Sequence, residues 1–393
     1  MVIRPLYLTR LKESLGTPII KILTGMRRVG KSSLLRQLID HLSSDNVQPF
    51  QILFIDRENL SWDHIRDYTI LHQTIETYFM GKEWKKYLFI DEVQDITEWE
   101  RTIRHYGKMA DYEIFLTWSN SSLLSGELAT YLSWRYIEFA VYPLTYAEYL
   151  TFRTDGSLED YMWRGGLPWV ARLEDTSIIE SYLEWVMHTV MFRDIIDRHA
   201  IRSGGLLEQI LQFLASNTGY PTSTKRIADY LKKERITLSF ETVRDYLEYF
   251  REAFLLHTPR WQDIQGKEFL DLNTKYYFTD IGVRNRLVHQ RNEYIGQILE
   301  NVVYNELIAR WYTVTVGRIG TLEVDFIAEK SGERIYIQVA YLLASDDTVA
   351  REFAPLEKIR DNYPKLVLSM DTHWWSGRGG ILRENIETWL LKK

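Results

Sequence analysis

The chain has 393 residues, more than one hydrophobic core usually organises, so we expect two or three domains. Its 45% hydrophobic and 26% charged content is typical of a globular protein, and its net charge of −6 argues against a surface that is basic throughout and binds nucleic acid without selectivity. Because there is no cysteine, no apolar run of membrane-spanning length and no secretory leader, the sequence predicts a cytoplasmic protein without disulfides or thiolate metal sites.

A glycine-rich loop follows the first predicted strand. Residues 19–24 form a short apolar run with β-branched side chains, which is typical of a buried strand, and a helical pattern starts after the loop. Between them the sequence GMRRVGKS has the spacing of a P-loop, in which backbone N–H groups and a helix N-terminus hold phosphate oxygens. Lys31 is expected to reach the β- and γ-phosphates of ATP, and the Ser32 hydroxyl to bind Mg²⁺. The predicted nucleotide-binding residues are Gly25, Arg28, Val29, Gly30, Lys31, Ser32 and Ser33.

Two acids follow another apolar strand. Residues 87–90 predict a buried strand that leads into Asp91 and Glu92. At the carboxyl end of a parallel strand beside a P-loop, Asp91 is placed to hold Mg²⁺ and Glu92 to take a proton from the attacking water. Further strands at 51–56 and 113–118 alternate with helical patterns, so we predict an α/β fold with a parallel sheet that is covered on both faces.

Other polar residues near these strands have alternative roles. Asn120 follows the strand at 113–118, where it can contact the γ-phosphate as a sensor or cap the helix that comes next. Arg135 lies between a helical pattern and the next strand, where it acts either as an arginine finger on the γ-phosphate or as a surface ion-pair partner. Arg193 and Arg198 are further candidates for the finger role.

Several motifs spread along the whole chain are those of one family. The sequences GMRRVGKSSLL, FIDEVQD, WSNSSLLSGELATYL, RYIEFAVYPLTYAEYL, GGLPWV and EVDFIAEK resemble a group of prokaryotic AAA+ superfamily ATPases that carry a C-terminal domain of unknown function. The resemblance implies an ATPase core, a small helical lid, a winged-helix segment and a C-terminal α/β domain with a restriction-endonuclease-like fold. The chain departs from the family at Trp118, Trp134 and Trp185, where relatives usually have glycine, and a ring at Trp118 could crowd the γ-phosphate region and slow hydrolysis.

We expect four domains: an ATPase core at 1–143, a helical lid at 144–203, a winged helix at 204–284 and a nuclease-like domain at 285–393. In the winged-helix segment three helical patterns precede two strands, at 254–261 and 275–280, with a polar turn between them. The third helix carries more acids than cations, which disfavours DNA contact there. The winged helix therefore has two alternative roles, contact with a protein or contact with DNA. DNA contact would use five cations on and after the second helix: Lys225, Arg226, Lys232, Lys233 and Arg235.

The C-terminal domain has some of the residues of a metal-dependent nuclease. Glu300 or Glu306 on a helix and Asp325 on a strand supply acids, as nucleases of the restriction-endonuclease fold require. The next strand has Gln338 and Ala340 where such nucleases carry an acid and a lysine. Because an amide binds a hard cation weakly, we expect this domain not to cut DNA.

The predicted function is that of an AAA+ ATPase, which binds and hydrolyses ATP with Mg²⁺ and couples its nucleotide state to action on a macromolecular partner, with DNA as one candidate. The alternatives are a slow nucleotide-gated switch and a nuclease that ATP regulates. No membrane partner is expected, and the sequence leaves the oligomeric state open.

Overall fold

The chain forms two compact units. The computed structural model describes residues 2–120, 136–201, 204–236, 238–288, 295–372 and 377–392. The first unit consists of residues 1–142 and 252–254, and the second consists of residues 143–251 and 255–393. The first unit covers nearly the same residues as the predicted ATPase core, and the boundaries predicted within the second unit stay predictions. Within the described ranges, no helix is long and apolar enough to cross a membrane.

A parallel sheet forms the centre of the first unit. Its strands are β1 (Ile20–Thr24), β2 (Ile52–Asp56), β3 (Lys86–Asp91), β4 (Tyr112–Trp118) and β5 (Tyr136–Ala140). Their order is β2-β3-β4-β1-β5, and every neighbouring pair is parallel. Strand β1 is buried along its whole length, as expected inside a sheet that is covered on both faces. The predicted parallel α/β architecture is therefore confirmed, and the carboxyl ends of β1, β3 and β4 meet at one edge of the sheet.

Helices cover the sheet of the first unit. Those described are α1 (Pro5–Glu13), α2 (Lys31–Ser44), α3 (Tyr68–Phe79) and α4 (Trp99–Tyr106), with short 3₁₀ turns at Pro49–Gln51, Leu60–Trp62 and Val93–Asp95. Helix α4 shows how they attach. Its residues Trp99, Ile103 and Tyr106 are three or four positions apart, so they share one face, and all three are buried in the apolar core of the unit.

The second unit begins with helices and contains ten described ones longer than one turn. They are α5 (Tyr146–Phe152), α6 (Leu158–Arg164), α7 (Thr176–Thr189), α8 (Gly204–Ser216), α9 (Thr224–Lys233), α10 (Phe240–Glu252), α11 (Ile281–Leu287), α12 (Ile295–Ala309), α13 (Asp346–Glu357) and α14 (Ile386–Leu390). Helix α7 continues as a π-helical stretch, Val190–Ile196, and a last turn, Asp197–His199. Helices α8, α9 and α10 are the three that the sequence pattern predicts before the two strands.

A glycine break follows helix α6 and contacts a distant part of the second unit. Gly165 has a φ of +81°, and a Cβ there would lie 2.5 Å from Oδ1 of Asp280. The buried carboxylate of Asp280 accepts hydrogen bonds from the N–H groups of Gly166 (2.8 Å) and Val283 (2.9 Å), and the second of these caps helix α11. The glycine break therefore packs against the start of α11, although 114 residues of chain separate Gly166 from Asp280.

The second unit also contains a mixed sheet. Its strands are β6 (Leu256–His257), β7 (Trp261–Asp263), β8 (Phe269–Leu270), β9 (Tyr277–Phe278), β10 (Thr313–Ile319), β11 (Leu322–Lys330), β12 (Glu333–Val339), β13 (Lys365–Ser369) and β14 (Leu382–Asn385). Seven of them form one sheet in the order β14-β13-β12-β11-β10-β7-β8. Strands β12, β13 and β14 run parallel, and β11 is antiparallel to both β10 and β12.

The strands after helix α10 are more elaborate than the single hairpin that we expected. Strand β6 pairs with β9, and between them in the sequence β7 pairs with β8. Strand β7 also runs parallel to β10 and so joins the large sheet. The sequence pattern marks strands but not their partners, because pairing depends on contacts between segments that are far apart in the chain.

Candidate functional site

The loop between β1 and α2 has the backbone that phosphate binding requires. Gly25 has a φ of +138°, and a Cβ there would lie 2.2 Å from the carbonyl oxygen of Val141, so glycine is needed. Gly30 has a φ of +100° at the position before α2. Because α2 begins at Lys31, the first N–H groups of the helix, which have no partner within it, lie at the end of the loop. The predicted order of strand, glycine loop and helix is therefore present.

The other predicted loop residues differ in exposure. Val29 is buried, and its carbonyl oxygen accepts a hydrogen bond of 3.0 Å from the Arg4 guanidinium, which anchors the middle of the loop. Arg28 has a left-handed backbone with a φ of +69°, and its exposed side chain lies 3.7 Å from Glu58. Ser33 is exposed in the first turn of α2. We expect these three residues to contribute backbone N–H groups rather than side chains.

Lys31 is buried at the start of α2. Its Nζ donates hydrogen bonds to the carbonyl oxygens of Gly25 (2.8 Å) and Met26 (3.1 Å). The same ammonium lies 3.7 Å from Oε1 of Glu92, at the end of β3. The structure thus brings together the predicted phosphate-binding cation and the predicted general base.

Asp91 lies buried beside Ser32, the other predicted Mg²⁺ ligand. Its carboxylate accepts hydrogen bonds from the Ser32 hydroxyl and from Oγ1 of Thr117 at 2.5 Å. Burial raises the pKa of Asp91 to about 6, although these two hydrogen bonds oppose the shift. Asp91 is therefore ionised at neutral pH, which is the form that binds a hard cation, and takes up a proton in mildly acidic solution.

Glu92 is held from several sides at a strained backbone position. Its φ of +54° is left-handed, which is uncommon for a residue with a side chain and frequent at functional sites. Oε2 accepts hydrogen bonds from the Ser119 hydroxyl (2.8 Å) and the Gln94 amide. Burial by itself would raise the pKa of Glu92, but the nearby charges of Lys31 and Arg27, with these hydrogen bonds, lower it below its usual value. The carboxylate is therefore ionised and oriented.

Sequence reasoning missed two polar side chains that organise these acids. The Thr117 hydroxyl accepts a hydrogen bond from the backbone N–H of Glu92 (2.7 Å) and donates one to the carboxylate of Asp91, so it links the two acids. Gln94, two residues after Glu92, donates to Glu92 and also to Ser119 (3.2 Å). The sequence offers little signal for them, because Thr117 lies on β4, a strand that also contains Glu113, and Gln94 lies in the turn after β3.

The structure changes the expectation for Trp118 and leaves two others as predictions. The Trp118 ring is buried in the apolar core, with its centroid 5.3 Å from that of Trp99. We expected this ring among the polar side chains of the site, but it packs in the core instead. Asn120 is fully buried just after β4, but the helix that it would cap lies outside the described residues. Arg135 and Trp134 lie outside them as well, so the arginine-finger role stays a prediction. Arg193 and Arg198 belong to the second unit.

The chemistry of the first-unit site fits a nucleoside triphosphate with Mg²⁺. The loop offers backbone N–H groups and the buried cation of Lys31, which suit anionic phosphate oxygens. Ser32 and Asp91 offer a hydroxyl and a carboxylate next to each other, the hard oxygen ligands that Mg²⁺ prefers.

A second polar cluster lies in the second unit. Glu300 on α12 and Asp325 on β11, two of the predicted nuclease acids, come together with Glu323, so that one oxygen of each lies within 4.8 Å of the others. Lys275 is buried among them: its Nζ is 2.8 Å from Oε1 of Glu300 and also pairs with Glu323. Tyr277 donates a hydrogen bond of 2.5 Å to the same oxygen of Glu300.

The remaining predicted nuclease residues have other partners. Glu306 pairs with Arg310 at 2.7 Å and is not a member of the cluster. The Gln338 amide oxygen accepts the backbone N–H of Asp325 (3.3 Å), and its amide nitrogen donates to Glu352 (3.1 Å). Sequence reasoning missed Lys275, because this residue belongs to the segment before β9 and not to the strand where a nuclease lysine was sought.

The predicted basic surface is exposed. All five of its cations lie open to solvent on helix α9 and in the turn after it: Lys225, Arg226, Lys232, Lys233 and Arg235. On helix α10, by contrast, Arg251 is paired with Glu248 at 2.5 Å, consistent with the acid excess expected there.

Comparisons with known proteins relate two parts of the chain to known domain families. Residues 17–150 match the family described as AAA domain, and residues 155–294 match a domain family of unknown function. Neither match extends beyond residue 294, so the nuclease-like fold expected for the C-terminal domain stays a prediction. Among solved structures, the Walker-type ATPase of Pyrococcus abyssi has a similar fold: the TM-score is 0.51 at 19% identity, over 73% of this chain and 96% of that one.

Two relatives align with most of the chain. An uncharacterized protein of Methanocaldococcus jannaschii is 28% identical over 361 residues, which are 86% of this chain and 78% of that protein. An uncharacterized protein of Haemophilus influenzae is 32% identical over 400 residues, with 100% of this chain and 99% of that protein covered. The chain therefore belongs to the same family as the Haemophilus influenzae protein, and its residues 17–150 match the AAA domain family.

Proposed function

We propose that this protein binds ATP at the loop of residues 25–32 and hydrolyses it with Glu92 as the general base. The observation that carries the proposal is the approach of Lys31 from the loop to Glu92 from strand β3, at 3.7 Å in a buried site. Ser32 and Asp91 are the residues that would hold Mg²⁺. An ion held there would offset the negative charge that develops during phosphoryl transfer.

The side chains have distinct parts in the proposed reaction. Lys31 binds the β- and γ-phosphates. Glu92 takes a proton from a water molecule while the water oxygen bonds to the γ-phosphorus and the bond from that phosphorus to the bridging oxygen breaks, which gives ADP and phosphate. Ser119 and Gln94 orient the carboxylate through their hydrogen bonds. Asn120 and Arg135 are proposed as further contacts to the γ-phosphate.

We also propose that the nucleotide state is coupled to a macromolecular partner. DNA is the candidate that the exposed basic surface on α9 supports, because cations there can offset backbone phosphates. The alternative is a slow nucleotide-gated switch. Turnover distinguishes the two, since a protein that performs work on its partner should hydrolyse about one ATP per second or more when the partner is present.

Replacing Glu92 with glutamine should preserve ATP affinity and reduce hydrolysis by about 100-fold or more, because the amide keeps the shape of the side chain but cannot accept a proton. Titration calorimetry with ATP and a phosphate-release assay measure the two effects. Glu76→Gln, which changes an exposed acid of the same unit, is the matched control and should behave like the unaltered protein.

The companion variant Asp91→Asn tests how the roles are divided between the two acids. It should lose the Mg²⁺ dependence of ATP binding, because a neutral amide is a weaker ligand for this ion. If Asp91→Asn keeps that dependence while Glu92→Gln destroys binding, the two roles are reversed.

A second candidate function is a nuclease that ATP regulates, and the observation that favours it is Lys275. This residue supplies, among three carboxylates, the lysine that strand β12 lacks. Against it, the ammonium pairs directly with Glu300 and Glu323 and so neutralises the oxygens that a metal ion would need.

We therefore expect linear, circular and branched DNA to stay intact when incubated with the purified protein in Mg²⁺ or Mn²⁺, as followed by gel electrophoresis. Asp325→Ala and Lys330→Ala are the paired variants, since Lys330 is an exposed residue at the end of the same strand. DNA cleavage by the unaltered protein and by Lys330→Ala, but not by Asp325→Ala, would make the nuclease the leading hypothesis.

A further inference from the structure

Two consecutive arginines of the loop point in different directions. The side chain of Arg27 is only 9% exposed, and its Nη1 lies 3.7 Å from Oε2 of Glu92. The side chain of Arg28 is 36% exposed and lies near Glu58. The left-handed backbone of Arg28 separates the two, because it reverses the direction of the chain after Arg27. Only the first arginine therefore faces the candidate site.

Arg27 and Lys31 share one carboxylate. Lys31 approaches Oε1 of Glu92, and Arg27 approaches Oε2, each at 3.7 Å. A buried cation is costly unless an anion lies close to it, and both of these buried cations approach the carboxylate of Glu92. Arg27 and Lys31 are therefore both turned toward the carboxylate that is proposed to activate the attacking water.

We propose that Arg27 is a catalytic residue that binds the γ-phosphate from within the loop itself, as an arginine finger supplied by the same chain. This inference rests on the proposed ATPase function. Lys31 and Arg27 flank the same acid, so a triphosphate that contacts Lys31 brings its terminal phosphate to the same side of the site as Arg27. The planar guanidinium can donate two parallel hydrogen bonds to phosphate oxygens and offsets the charge that they gain in the transition state.

A role for Arg27 at the γ-phosphate predicts different effects on ATP and on ADP. ADP lacks the γ-phosphate, so removal of Arg27 should leave ADP affinity unchanged. A merely structural ion pair with Glu92 would alter both affinities alike, or neither. The ratio of the two affinities is therefore a measurement that a structural role does not change.

The test is Arg27→Met, which keeps the buried stem of the side chain and removes its charge. We expect kcat to fall by roughly 1000-fold, the lower range for an arginine finger, with ATP affinity reduced about 10-fold and ADP affinity unchanged. Arg27→Lys, which keeps the charge without the planar group, should recover part of the rate. Arg101→Ala, whose exposed guanidinium pairs with Glu98 at 2.7 Å in the same unit, is the control and should change nothing.

Three results would overturn the proposal: an unchanged kcat in Arg27→Met, an equal loss of ATP and ADP affinity, or a faster rate, which would make Arg27 a restraint on Glu92. If Arg27→Met does not fold, as judged by circular dichroism, Arg27→Lys must lose kcat at unchanged ADP affinity for the proposal to stand. Failure of the ATPase proposal is distinguishable, since the unaltered protein would then bind no ATP or bind it without hydrolysis. If the unaltered protein binds ATP without hydrolysing it, the ratio of ATP to ADP affinity still decides the role of Arg27.

Discussion

Replacing Lys31 with alanine should weaken ATP binding by about 100-fold or more while the protein stays folded. Truncating one member of a buried, hydrogen-bonded charge pair costs roughly 2–5 kcal/mol, and the proposed partners of Lys31 are the β- and γ-phosphates. The fold should survive, because the change leaves the apolar core of the unit intact, and the contacts of Lys31 include hydrogen bonds to two loop carbonyls and an approach to Glu92. Titration calorimetry with ATP measures the affinity, and thermal unfolding measures the stability.

Lys108→Ala is the matched control for this variant. Lys108 is an exposed lysine of the first unit, so its removal should leave ATP affinity and melting temperature unchanged. An ATP affinity in Lys31→Ala equal to that of the control would refute the assignment of the loop to phosphate binding. A loss of affinity that accompanies unfolding would instead call for Lys31→Met, which keeps more of the buried volume.

Replacing Lys275 with methionine should destabilise the second unit by about 3–5 kcal/mol, the usual cost of removing one partner from a buried ion pair. Lys275 is almost fully buried, and its removal leaves Glu300, Glu323 and Asp325 facing one another without a cation. Burial and the charge of Glu300 already raise the pKa of Asp325, and Lys275 opposes this shift. Hydrogen exchange of the full chain, read in peptides that cover residues 295–339, measures the change in local stability.

The destabilisation in Lys275→Met should depend on pH. The pKa of Asp325 is raised in the folded protein, and without the lysine that opposes this shift it rises further, so this carboxyl group binds a proton more readily folded than unfolded. The penalty is therefore full above the raised pKa of Asp325 and shrinks as pH falls through it, so it should be smaller at about pH 5 than at about pH 8. Lys330→Met, at an exposed position, should show no such dependence. If the peptides of both variants were equally protected from hydrogen exchange at every pH, the three acids of the cluster would not be ionised at the same time.

The sequence was most informative where local pattern decides structure. The apolar run before Gly25, the glycine spacing and the helical pattern after Ser32 are each local, and together they predicted the loop and its helix. The same holds for the strand that ends in Asp91 and Glu92. These features follow from period and spacing within about 15 residues, which is the range over which secondary-structure signals act.

Contacts between distant segments were not predictable in the same way. Thr117 reaches the two acids from a strand 26 residues after Asp91, and no pattern within β4 distinguishes it from an ordinary strand threonine. Lys275 joins Glu300 from 25 residues earlier in the chain. Arg27 and Arg28 are consecutive, so their neighbours in the sequence do not show which of them faces the site. The left-handed backbone at Arg28 determines that the side chain of Arg27 points toward Glu92.

The packing of the glycine break against Asp280 has a mechanical consequence. Gly166 cannot shift without stretching its hydrogen bond to a carboxylate that also holds the first turn of α11. Any rotation of helix α6 that involves the glycine break must therefore carry α11 with it, or remove the N–H donors of Gly166 and Leu167 from a buried acid. The glycine break and the start of α11, which lie 114 residues apart in the chain, are thus expected to move together within the second unit.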